Sequence, residues 1–529
     1  ASLAGDLRLG RLIVLYDANK ITLSATTNIT FSEDVGARFA AYGWQVQEVD
    51  GMSVAAVDAA LTAARADEQR PSLIIARTHI GFGSPNKHDT FEAHGEPLGE
   101  NEVRLTKRAY GWPEDEKFLV PEDAQREFDK VRDRGGRLRV GWQEAMDSYR
   151  AEHAELAAAF DRAIAGELPP NWDDKLPVFT PSDGEMATRD AGGKAMAAIA
   201  ESVANLIGGS ADLDPSTRTA LKGKGDFQSP DTEEAGQTPP TQGMAGGAWG
   251  YGGRNIHFGI REHAMTAVLT GMAHHGGVIP FGATFLTFSD YMRPSIRLAA
   301  LSNAHVIYVW THDSIAIGED GPTHQPVEQI ASLRAMPNML LFRPADANET
   351  VEAWRIAMKH TGGPVGLVLT RQKLPILDRG TLAPAAGTAR GAYVLIDADR
   401  GAQPELILIA TGSEVSLALA AHEALTGGGV HCRVVSMPSW KLFAAQSLEY
   451  RDSVLPPAVQ ARVSVEAASP FGWERYVGPR GAIIGVDHFG ASAPGPVVMA
   501  HYGFTVEHVV ATARAVLADN RPQQRVPRE

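Results

Sequence analysis

The sequence predicts an α/β protein with three parallel-sheet units: an incomplete N-terminal unit, a central unit and a C-terminal unit. Short runs rich in leucine and β-branched residues recur along the chain, and helical periodicity follows each run. This alternation is typical of parallel sheets covered by helices on both faces. The length of 529 residues also exceeds what one hydrophobic core usually organises, so more than one domain is expected.

Apolar runs mark the predicted strands. In chain order they are RLIVLYDA, PSLIIART, HVIYVWTH, NMLLFRPA, GPVGLVLTR, PELILIATG, HCRVVSMPS and GAIIGVDHFG. The chain opens on ASLAGDLRLG, a short predicted helix that leads directly into the first run. We therefore expect the elements that precede this helix to be lost or to be supplied from elsewhere.

Changes in composition place the expected domain boundaries. Residues 113–183 are charged, helical and Pro-rich, which indicates a helical or extended tether. The tether separates a first unit at 1–112 from a second unit at 184–380, and a third unit covers 390–529. Residues 222–253 are rich in Gly, Pro, Thr and Gln and predict a surface excursion inside the second unit.

The bulk composition excludes several classes of protein. The chain has 44% hydrophobic and 21% charged residues and no apolar run long enough to cross a bilayer, so no membrane partner is expected. A net charge of -14 at pH 7 argues against nucleic acid as a partner. The lone Cys432 cannot form an intramolecular disulfide, which fits a reducing cytoplasm.

The densest group of reactive side chains follows the predicted strand HVIYVW. Residues 311–329 read THDSIAIGEDGPTHQPVEQ and hold His312, His324, Glu319 and Asp320 around a glycine-bounded turn. In a parallel α/β sheet, ligands bind at the carboxyl edge, and histidines titrate near neutral pH. The pattern therefore favours a functional loop over the alternative, a polar turn whose groups satisfy one another.

Two further segments have both a structural and a functional interpretation. Glu262 precedes the apolar helix AMTAVLTGMA and could stabilise the helix N-terminus, or, if buried, hand a proton to a bound base. Phe285, Phe288 and Tyr291 recur at i, i+3 and i+6, which predicts one helix face with three aromatic rings. Such a face packs in a core or stacks on a flat heterocycle.

Scattered polar residues are weaker signals. Arg189, Ser216 and Arg371 suit a phosphate, although each one alone is an ordinary surface or pairing residue. His94 lies in AHGEPLG, after a glycine-containing loop that lacks the third glycine of a dinucleotide fingerprint. Asn19 ends the first apolar strand, where it is either a turn residue that bonds its own loop or half of a ligand site.

The sequence resembles the transketolases, which are thiamine diphosphate enzymes, because six of its motifs match that family in their order and spacing. The motifs are SLAGDLRLGRLIVLYDANKITL, GFGSPNK, HGEPLG, GGSADL, TFLTFSDYMR and THDSIAIGEDGPTHQPVEQIASLR. The resemblance implies a diphosphate-binding, a pyrimidine-binding and a C-terminal domain, paired as a homodimer with the cofactor between chains. It also implies reversible transfer of a two-carbon glycolaldehyde unit from a ketose phosphate to an aldose phosphate through a thiamine diphosphate carbanion.

The resemblance assigns roles to residues of this sequence. Glu262 matches the carboxylate that bonds the aminopyrimidine ring, and Asp212 matches a supporting carboxylate. The pyrimidine pocket is matched by Phe285, Phe288 and Tyr291. His94, His312 and His324 match imidazoles around the reacting carbon. Asp320 matches the group that recognises the C2 hydroxyl of the sugar. Contacts to the sugar phosphate are matched by Arg189, Ser216 and Arg371, since arginine offers forked donors.

The same resemblance bears on Asn19. Asn19 and the carbonyl of Ile21 match two ligands of the Mg²⁺ or Ca²⁺ that clamps the diphosphate, in keeping with oxygen donors. The third family ligand, the Asp of a GDG motif, does not precede them here. We expect one of three explanations: a shortened chain, a separate subunit that supplies the rest, or a segment before residue 1 that is not seen.

Alternatives to transketolase activity stay open at this point. Deoxyxylulose-phosphate synthase shares a DGxTHQ type of turn, but the THDS with His312 and the PVEQIASLR continuation argue against it. Dihydroxyacetone synthase would differ in accepting formaldehyde. A catalytically impaired or non-catalytic subunit that needs a separate N-terminal partner is the alternative from another class, and the retained Glu262, His312 and His324 argue against it.

Overall fold

The computed structural model describes residues 1–231, 245–398 and 402–520. The chain divides into two compact units, Ala1–Glu152 and His153–Glu529. Part of the excursion expected at 222–253 falls outside the described residues. Within the described part of the chain, no helix combines the length and the apolar character that a bilayer span needs.

The first unit contains a small parallel sheet. Its strands are β1 (Ile13–Asp17), β2 (Gln45–Asp50) and β3 (Ser72–Arg77), in the spatial order β1-β3-β2. The central strand β3 is buried over its first five residues, as its run of apolar side chains predicts. Strand β2 was not predicted, because QVQEVD alternates polar and apolar residues and lacks a continuous apolar run.

Helices accompany this sheet in the first unit. They are α1 (Ser2–Asp6), α2 (Thr27–Thr30), α3 (Val35–Ala41), α4 (Val54–Ala66), α5 (Phe91–Gly95), α6 (Glu100–Ala109) and α7 (Glu122–Glu152). Of these helices, α3 and α4 pack on the sheet. Asp34 accepts a hydrogen bond from the amide of Ala37 and Ser53 accepts one from Ala56, so side chains cap α3 and α4. The long helix α7 occupies much of the expected tether and has no buried residue.

A five-stranded parallel sheet forms the centre of the second unit. Its strands are β4 (Leu206–Ser210), β5 (Ile279–Phe285), β6 (Ile307–Thr311), β7 (Leu340–Phe342) and β8 (Val365–Leu369), in the spatial order β4-β5-β6-β8-β7. Strands β5, β6 and β8 are buried along their whole length. Helices therefore cover both faces of the sheet, which confirms the predicted α/β class.

The helices of this part include α8 (Ala154–Ala165), α9 (Thr188–Ser202), α10 (Glu262–His275), α11 (Ser289–Leu301), α12 (Gln329–Arg334) and α13 (Ala347–Lys359). Short 3₁₀ helices cover Pro181–Asp183, Leu286–Phe288 and Ile315–Asp320. A Cβ atom at Gly282 in β5 would lie 2.4 Å from Cδ1 of Leu269 in α10. The missing side chain at Gly282 thus leaves room for Leu269 of α10 against the strand.

A second five-stranded sheet follows near the end of the chain. Its strands are β9 (Tyr393–Ile396), β10 (Leu406–Ala410), β11 (Cys432–Ser436), β12 (Arg462–Val465) and β13 (Ala482–Ile484), in the spatial order β13-β12-β10-β11-β9. The edge strand β9 pairs antiparallel with β11, so this sheet is mixed where a parallel sheet was predicted. An antiparallel edge strand on a parallel sheet is common in α/β proteins.

The remaining helices belong to the same part of the chain. They are a 3₁₀ helix at Ala385–Arg390 and α14 (Glu414–Gly427), α15 (Trp440–Ala444), α16 (Leu448–Val454), α17 (Glu474–Val477), α18 (Gly495–His501) and α19 (Val506–Asn520). Several of these helices, α14, α17 and α19 among them, pack on this sheet. Cys432 is buried at the start of β11 and is a free thiol. Burial raises the pKa of this thiol to about 12, so Cys432 packs as an inert apolar side chain.

A buried charge network joins the two sheets of the second unit. The guanidinium of Arg343 donates to Asp313 at 2.7 Å, to the carbonyl of Thr411 at 3.0 Å, and to Glu414. Arg343 is 1% exposed, and Asp313 immediately follows His312. The network therefore anchors the loop after β6 to the C-terminal part of the unit.

Candidate active site

The carboxyl edge of the central sheet carries several of the predicted site residues. Phe285 is the last residue of β5, and Thr311, its register partner, is the last residue of β6. His312 follows Thr311 directly, and Arg371 lies two residues after β8. Since β5, β6 and β8 are neighbours and parallel, their carboxyl ends bring these residues to one edge. The sequence predicted such a position, directly after a strand, for His312 and Arg371.

The three aromatic residues do not lie on one helix face, and that prediction was wrong. Phe285 ends strand β5, Phe288 ends the 3₁₀ helix Leu286–Phe288, and Tyr291 lies in the first turn of α11. A 3₁₀ turn eclipses residues three apart, so the rings still meet. The Phe285 and Phe288 centroids are 5.8 Å apart with planes 14° from parallel, and Phe288 and Tyr291 are 6.1 Å apart.

His312 packs against this aromatic group. Its ring centroid is 3.6 Å from that of Phe285, and its side chain is 2% exposed. Its backbone φ of 62° is in the left-handed region, an uncommon conformation for a residue other than glycine. Nδ1 of His312 lies 2.8 Å from Oγ1 of Thr311, whereas no residue that the structure describes is hydrogen-bonded to its Nε2.

The surroundings of His312 disfavour its charged form. Burial, together with the positive charges of Arg189 and Arg371, lowers the pKa of His312 to about 3. The imidazole is therefore neutral at physiological pH. A neutral imidazole can accept a proton or donate a hydrogen bond.

His324 joins the same cluster from the far side of the loop. Its ring lies edge-on to Phe288, with centroids 5.5 Å apart, and 6.4 Å from Phe285. Its Nδ1 lies 2.9 Å from Oγ1 of Thr323. Both histidines thus bond the hydroxyl of the preceding threonine through Nδ1, and neither Nε2 has a hydrogen bond to a residue of the described ranges.

The two predicted arginines are held beside this cluster. The hydroxyls and amides of Thr188 and Thr370 are hydrogen-bonded to each other, which fixes the start of α9 against the end of β8. Arg189 follows Thr188, and Arg371 follows Thr370. The Arg371 guanidinium donates to the carbonyl of Ile317 at 3.1 Å, so it is tied to the loop that carries His312.

Arg189 has a donor without a partner. Its Nη1 donates to the carbonyl of Ser216 at 2.9 Å, whereas its buried Nε has no hydrogen-bond partner among the described residues. Burial is the main cause of the lowered pKa of Arg189, and the like charges of Arg218 and Arg371 act in the same direction. A desolvated, partly unsatisfied guanidinium beside a second guanidinium is a suitable site for an anion.

Glu262 lies at the same edge of the sheet. It is the first residue of α10, which connects the parallel strands β4 and β5 and so runs antiparallel to them. Its amino end therefore faces the carboxyl ends of the strands. Glu262 is 9% exposed, and no described residue donates a hydrogen bond to its carboxylate.

The two predicted aspartates are more exposed. Asp212 follows β4 with a φ of 60°, and Asp320 ends the 3₁₀ helix Ile315–Asp320. Within the described part of the chain, neither carboxylate is hydrogen-bonded or ion-paired. Both are thus available to an external ligand, and the contacts expected for them stay predictions.

The other predicted site residues belong to the first unit. Oδ1 of Asn19 accepts a hydrogen bond from the amide of Ile21 at 3.0 Å, so Asn19 does form the local turn that was its structural interpretation. An amide oxygen has a second lone pair, which leaves ligand binding open to it. His94 is exposed in the short helix α5.

Sequence reasoning missed the residues that position the histidines. Thr311 and Thr323 hold the two rings, and the Thr-His pair that occurs twice in this loop was the available signal. The anchor from Arg343 to Asp313 had no signal, because its partners lie 30 positions apart in the sequence.

Comparison with known proteins was made at three levels, and the first is the family model. The transketolase thiamine diphosphate-binding domain matches residues 1–169, the transketolase pyrimidine-binding domain matches 184–376, and the transketolase-like C-terminal domain matches 391–505. Together they cover most of the chain. The domain series is the one that the motifs predicted.

Curated relatives agree with the family models. A transketolase from Geobacillus stearothermophilus is 52% identical over 519 residues, which cover 98% of this chain and 75% of the relative. A transketolase from Halalkalibacterium halodurans is 49% identical over 518 residues, or 98% of this chain and 74% of the relative. The matches therefore span nearly the whole chain and about three quarters of each relative.

Solved structures agree as well. A Pichia stipitis transketolase mutant in complex with xylulose 5-phosphate has a TM-score of 0.90 at 40% identity, with 98% of this chain and 73% of that chain covered. A transketolase from Leishmania mexicana has a TM-score of 0.89 at 41% identity, again with 98% and 73% covered. On its sequence and on its fold, the chain belongs to the transketolase family.

Proposed function

We propose that the cluster at the carboxyl edge of the central sheet is the site where this enzyme transfers a glycolaldehyde unit from a ketose phosphate to an aldose phosphate. The observation that carries the proposal is the convergence of a stacked aromatic pair, two imidazoles with free Nε2 atoms and two guanidinium groups. Each group suits one part of the reaction. The aromatic rings would pack on the cofactor. The imidazoles would exchange protons with the reacting oxygens, and the guanidinium groups would bind the phosphate.

The aromatic end of the cluster fits the pyrimidine of thiamine diphosphate. Phe285 and Phe288 are nearly parallel, and Tyr291 is 65% exposed, so a flat heterocycle can pack on these rings. The carboxylate of Glu262, which no described residue donates to, would hold a proton at a ring nitrogen. Asp212 would support this end. Thiamine diphosphate supplies, when bound, the electron sink for the two-carbon unit while a carbon–carbon bond breaks.

The imidazoles would accept protons from the substrate oxygens and donate protons to them. His312 is neutral at working pH and is held by Thr311, so its Nε2 can accept a proton from a hydroxyl or donate to an alkoxide as charge develops. His324 has the same arrangement with Thr323. His94 of the first unit is the third imidazole that we assign to this task.

The arginines would hold the sugar phosphate. Nε of Arg189 is buried without a described partner, and a phosphate oxygen would satisfy it. Arg371 and the Ser216 hydroxyl would bind the same group, and Asp320 would bind the C2 hydroxyl of the sugar. The relative from Pichia stipitis that was crystallised with xylulose 5-phosphate supports a pentulose phosphate as donor.

Other parts of the proposal rest on the family resemblance. Asn19 and the Ile21 carbonyl would bind the Mg²⁺ or Ca²⁺ that clamps the diphosphate, since they are oxygen donors. The homodimer with the cofactor between chains and the cytoplasmic location also belong to the proposal. So do the domain limits of 1–112, 113–183, 184–380 and 390–529.

The test is an assay of the purified chain with thiamine diphosphate, Mg²⁺, xylulose 5-phosphate and ribose 5-phosphate. We expect sedoheptulose 7-phosphate and glyceraldehyde 3-phosphate in equal amounts. Rapid use of formaldehyde as acceptor would instead indicate dihydroxyacetone synthase, and release of CO₂ from pyruvate would indicate deoxyxylulose-phosphate synthase. Cofactor binding without any turnover would favour the non-catalytic subunit.

A further inference from the structure

A group of metal-binding side chains lies in the loop that follows strand β3 of the first unit. The loop reads THIGFGSPNKHDT, residues 78–90, and brings His79 together with His88 and Asp89. We propose that His79, His88 and Asp89 bind a divalent transition-metal ion of the Zn²⁺ class. The donor set differs from that of Asn19 and Ile21, because it includes imidazole nitrogens where they offer only oxygen.

The donor atoms of the three side chains converge. Nδ1 of His79 lies 2.8 Å from Oδ2 of Asp89, and Nε2 of His88 lies 3.1 Å from the same oxygen. All three ligand atoms lie within 4.8 Å of one another, and the two imidazole rings are 5.0 Å apart. A tetrahedral zinc ion with bonds of about 2.0–2.2 Å needs donors slightly more than 3 Å apart, so a small outward shift would admit the ion.

One oxygen of the Asp89 carboxylate has no hydrogen bond within the described part of the chain. Oδ1 of Asp89 is buried and has no hydrogen-bond partner among the described residues. Asp89 itself adopts a φ of 54°, in the left-handed region. Oδ2 of the same carboxylate faces both imidazoles. A buried carboxylate oxygen without a hydrogen bond is unfavourable unless a cation compensates the carboxylate.

The loop is held in a fixed conformation by a residue outside it. The buried carboxylate of Glu102 accepts hydrogen bonds from the Ser84 hydroxyl at 2.5 Å, and from the amide and side chain of Asn86 at 2.9 Å each. The amide of Asp89 donates to the carbonyl of Ile80 at 3.0 Å. The ligands therefore sit on a preorganised turn, as a selective metal site requires.

The donor set and its exposure indicate the kind of ion. Two imidazole nitrogens with one carboxylate suit Zn²⁺, Co²⁺, Ni²⁺ or Cu²⁺, whereas Mg²⁺ and Ca²⁺ prefer oxygen ligands. The side chains of His79, His88 and Asp89 are 52%, 35% and 38% exposed, so solvent can fill the remaining coordination position. An ion there would fix the turn that leads into helix α5.

The proposal can be tested on the full chain without any assay of activity. Chelator-treated protein is titrated with Zn²⁺ in excess Mg²⁺, which occupies sites built from oxygen donors. It is also titrated with Co²⁺, whose visible absorption becomes stronger when the ion leaves octahedral water coordination for a four- or five-coordinate protein site. The variants are His79→Ala, His88→Ala and Asp89→Asn. Asn tolerates positive φ, so Asp89→Asn keeps the backbone of the turn. His274→Ala, which removes an exposed histidine of α10, is the matched control.

We expect one Zn²⁺ per chain, a Co²⁺ absorption band, and a loss of affinity of about tenfold or more in each of the three variants. His274→Ala should bind as the wild type does. Circular dichroism identifies any variant that fails to fold. If the histidine variants fail to fold, the Zn²⁺ affinity of Asp89→Asn alone tests the proposal. The proposal is overturned if Zn²⁺ does not bind at one equivalent, or if folded Asp89→Asn binds it as tightly as the wild type.

Discussion

The imidazole of His312 lies against the phenyl ring of Phe285, with the two ring centroids 3.6 Å apart. Phe285 ends strand β5 and His312 follows strand β6, so the contact joins the carboxyl ends of two neighbouring parallel strands. The Thr311 hydroxyl holds Nδ1 of the same imidazole. The stack thus places a neutral imidazole and an aromatic ring side by side at this edge of the sheet.

Replacing the partly exposed ring of the aromatic pair should weaken cofactor binding. Phe288→Leu removes the ring that is stacked with Phe285 but keeps an apolar side chain, so the Kd for thiamine diphosphate should rise about three- to tenfold. Calorimetric titration in Mg²⁺ measures the change. Phe471→Leu, at an exposed residue outside the cluster, should leave the Kd unaltered. Equal effects of the two substitutions would contradict the assignment.

The low pKa of His312 predicts how stability depends on pH. The unfolded histidine takes up a proton below about pH 6.5, whereas the folded one stays neutral until a pH of about 3. The unfolded state therefore binds more protons in this window, and the free energy of unfolding falls as the pH falls. His312→Asn removes this contribution, and Asn tolerates the positive φ.

Urea unfolding, followed by tryptophan fluorescence at pH 7 and pH 5, measures this difference. The wild type should lose about 2 kcal/mol more than His312→Asn between these two pH values. The carboxylates and other histidines are common to both proteins and cancel in the comparison. A parallel loss in both proteins would show that His312 is not held neutral.

Arg189 should govern affinity for phosphorylated substrates alone. Arg189→Lys keeps the charge but loses the forked donors and the Nε–H that has no described partner. The KM for a ketose phosphate should rise about tenfold, while hydroxypyruvate, which has no phosphate, should be used as before. Steady-state kinetics with the two donors separate these effects.

Arg218→Ala is the control for Arg189→Lys. It removes a nearby guanidinium that is exposed and already paired with Asp190 at 2.9 Å. A similar rise in KM in both variants would indicate a general electrostatic effect. A rise for hydroxypyruvate as well would rule out a phosphate contact at Arg189.

The buried network around Arg343 should be important for stability. Arg343→Met leaves the carboxylates of Asp313 and Glu414 buried without their cation, and should lower the free energy of unfolding by about 3–5 kcal/mol. Arg218→Met breaks an exposed pair and should cost less than about 1 kcal/mol. Urea unfolding compares the two, and a loss below about 1 kcal/mol in Arg343→Met would disprove the role.

The sequence predicted the fold where apolar runs were continuous. β3, β6, β8 and β10 are buried runs of this kind, and each was recognised. Strand β2 has alternating polar residues, and β4 reads LIGGS, so neither has the continuous run on which the prediction depended. The orientation of β9 depends on pairing with β11, which local sequence does not specify.

The sequence proposed the members of the candidate site, but it did not predict their geometry. Spacing placed Phe285, Phe288 and Tyr291 on one helix, because the change from strand to 3₁₀ helix leaves no periodic signal. The stack of His312 on Phe285 depends on strand register, and the Arg343 anchor depends on contacts between sheets. Both features depend on packing between residues far apart in the sequence, which local sequence patterns do not specify.

Glu262→Gln offers the most direct test of the proposed active site. The measurement is the turnover of xylulose 5-phosphate with ribose 5-phosphate by the wild type and by Glu262→Gln, each saturated with thiamine diphosphate and Mg²⁺ as verified by calorimetry. Because Gln keeps the shape but cannot hold the proton, the variant should bind the cofactor and lose about 10²–10⁴-fold in turnover. Wild-type turnover in the cofactor-saturated variant would contradict the proposed active site.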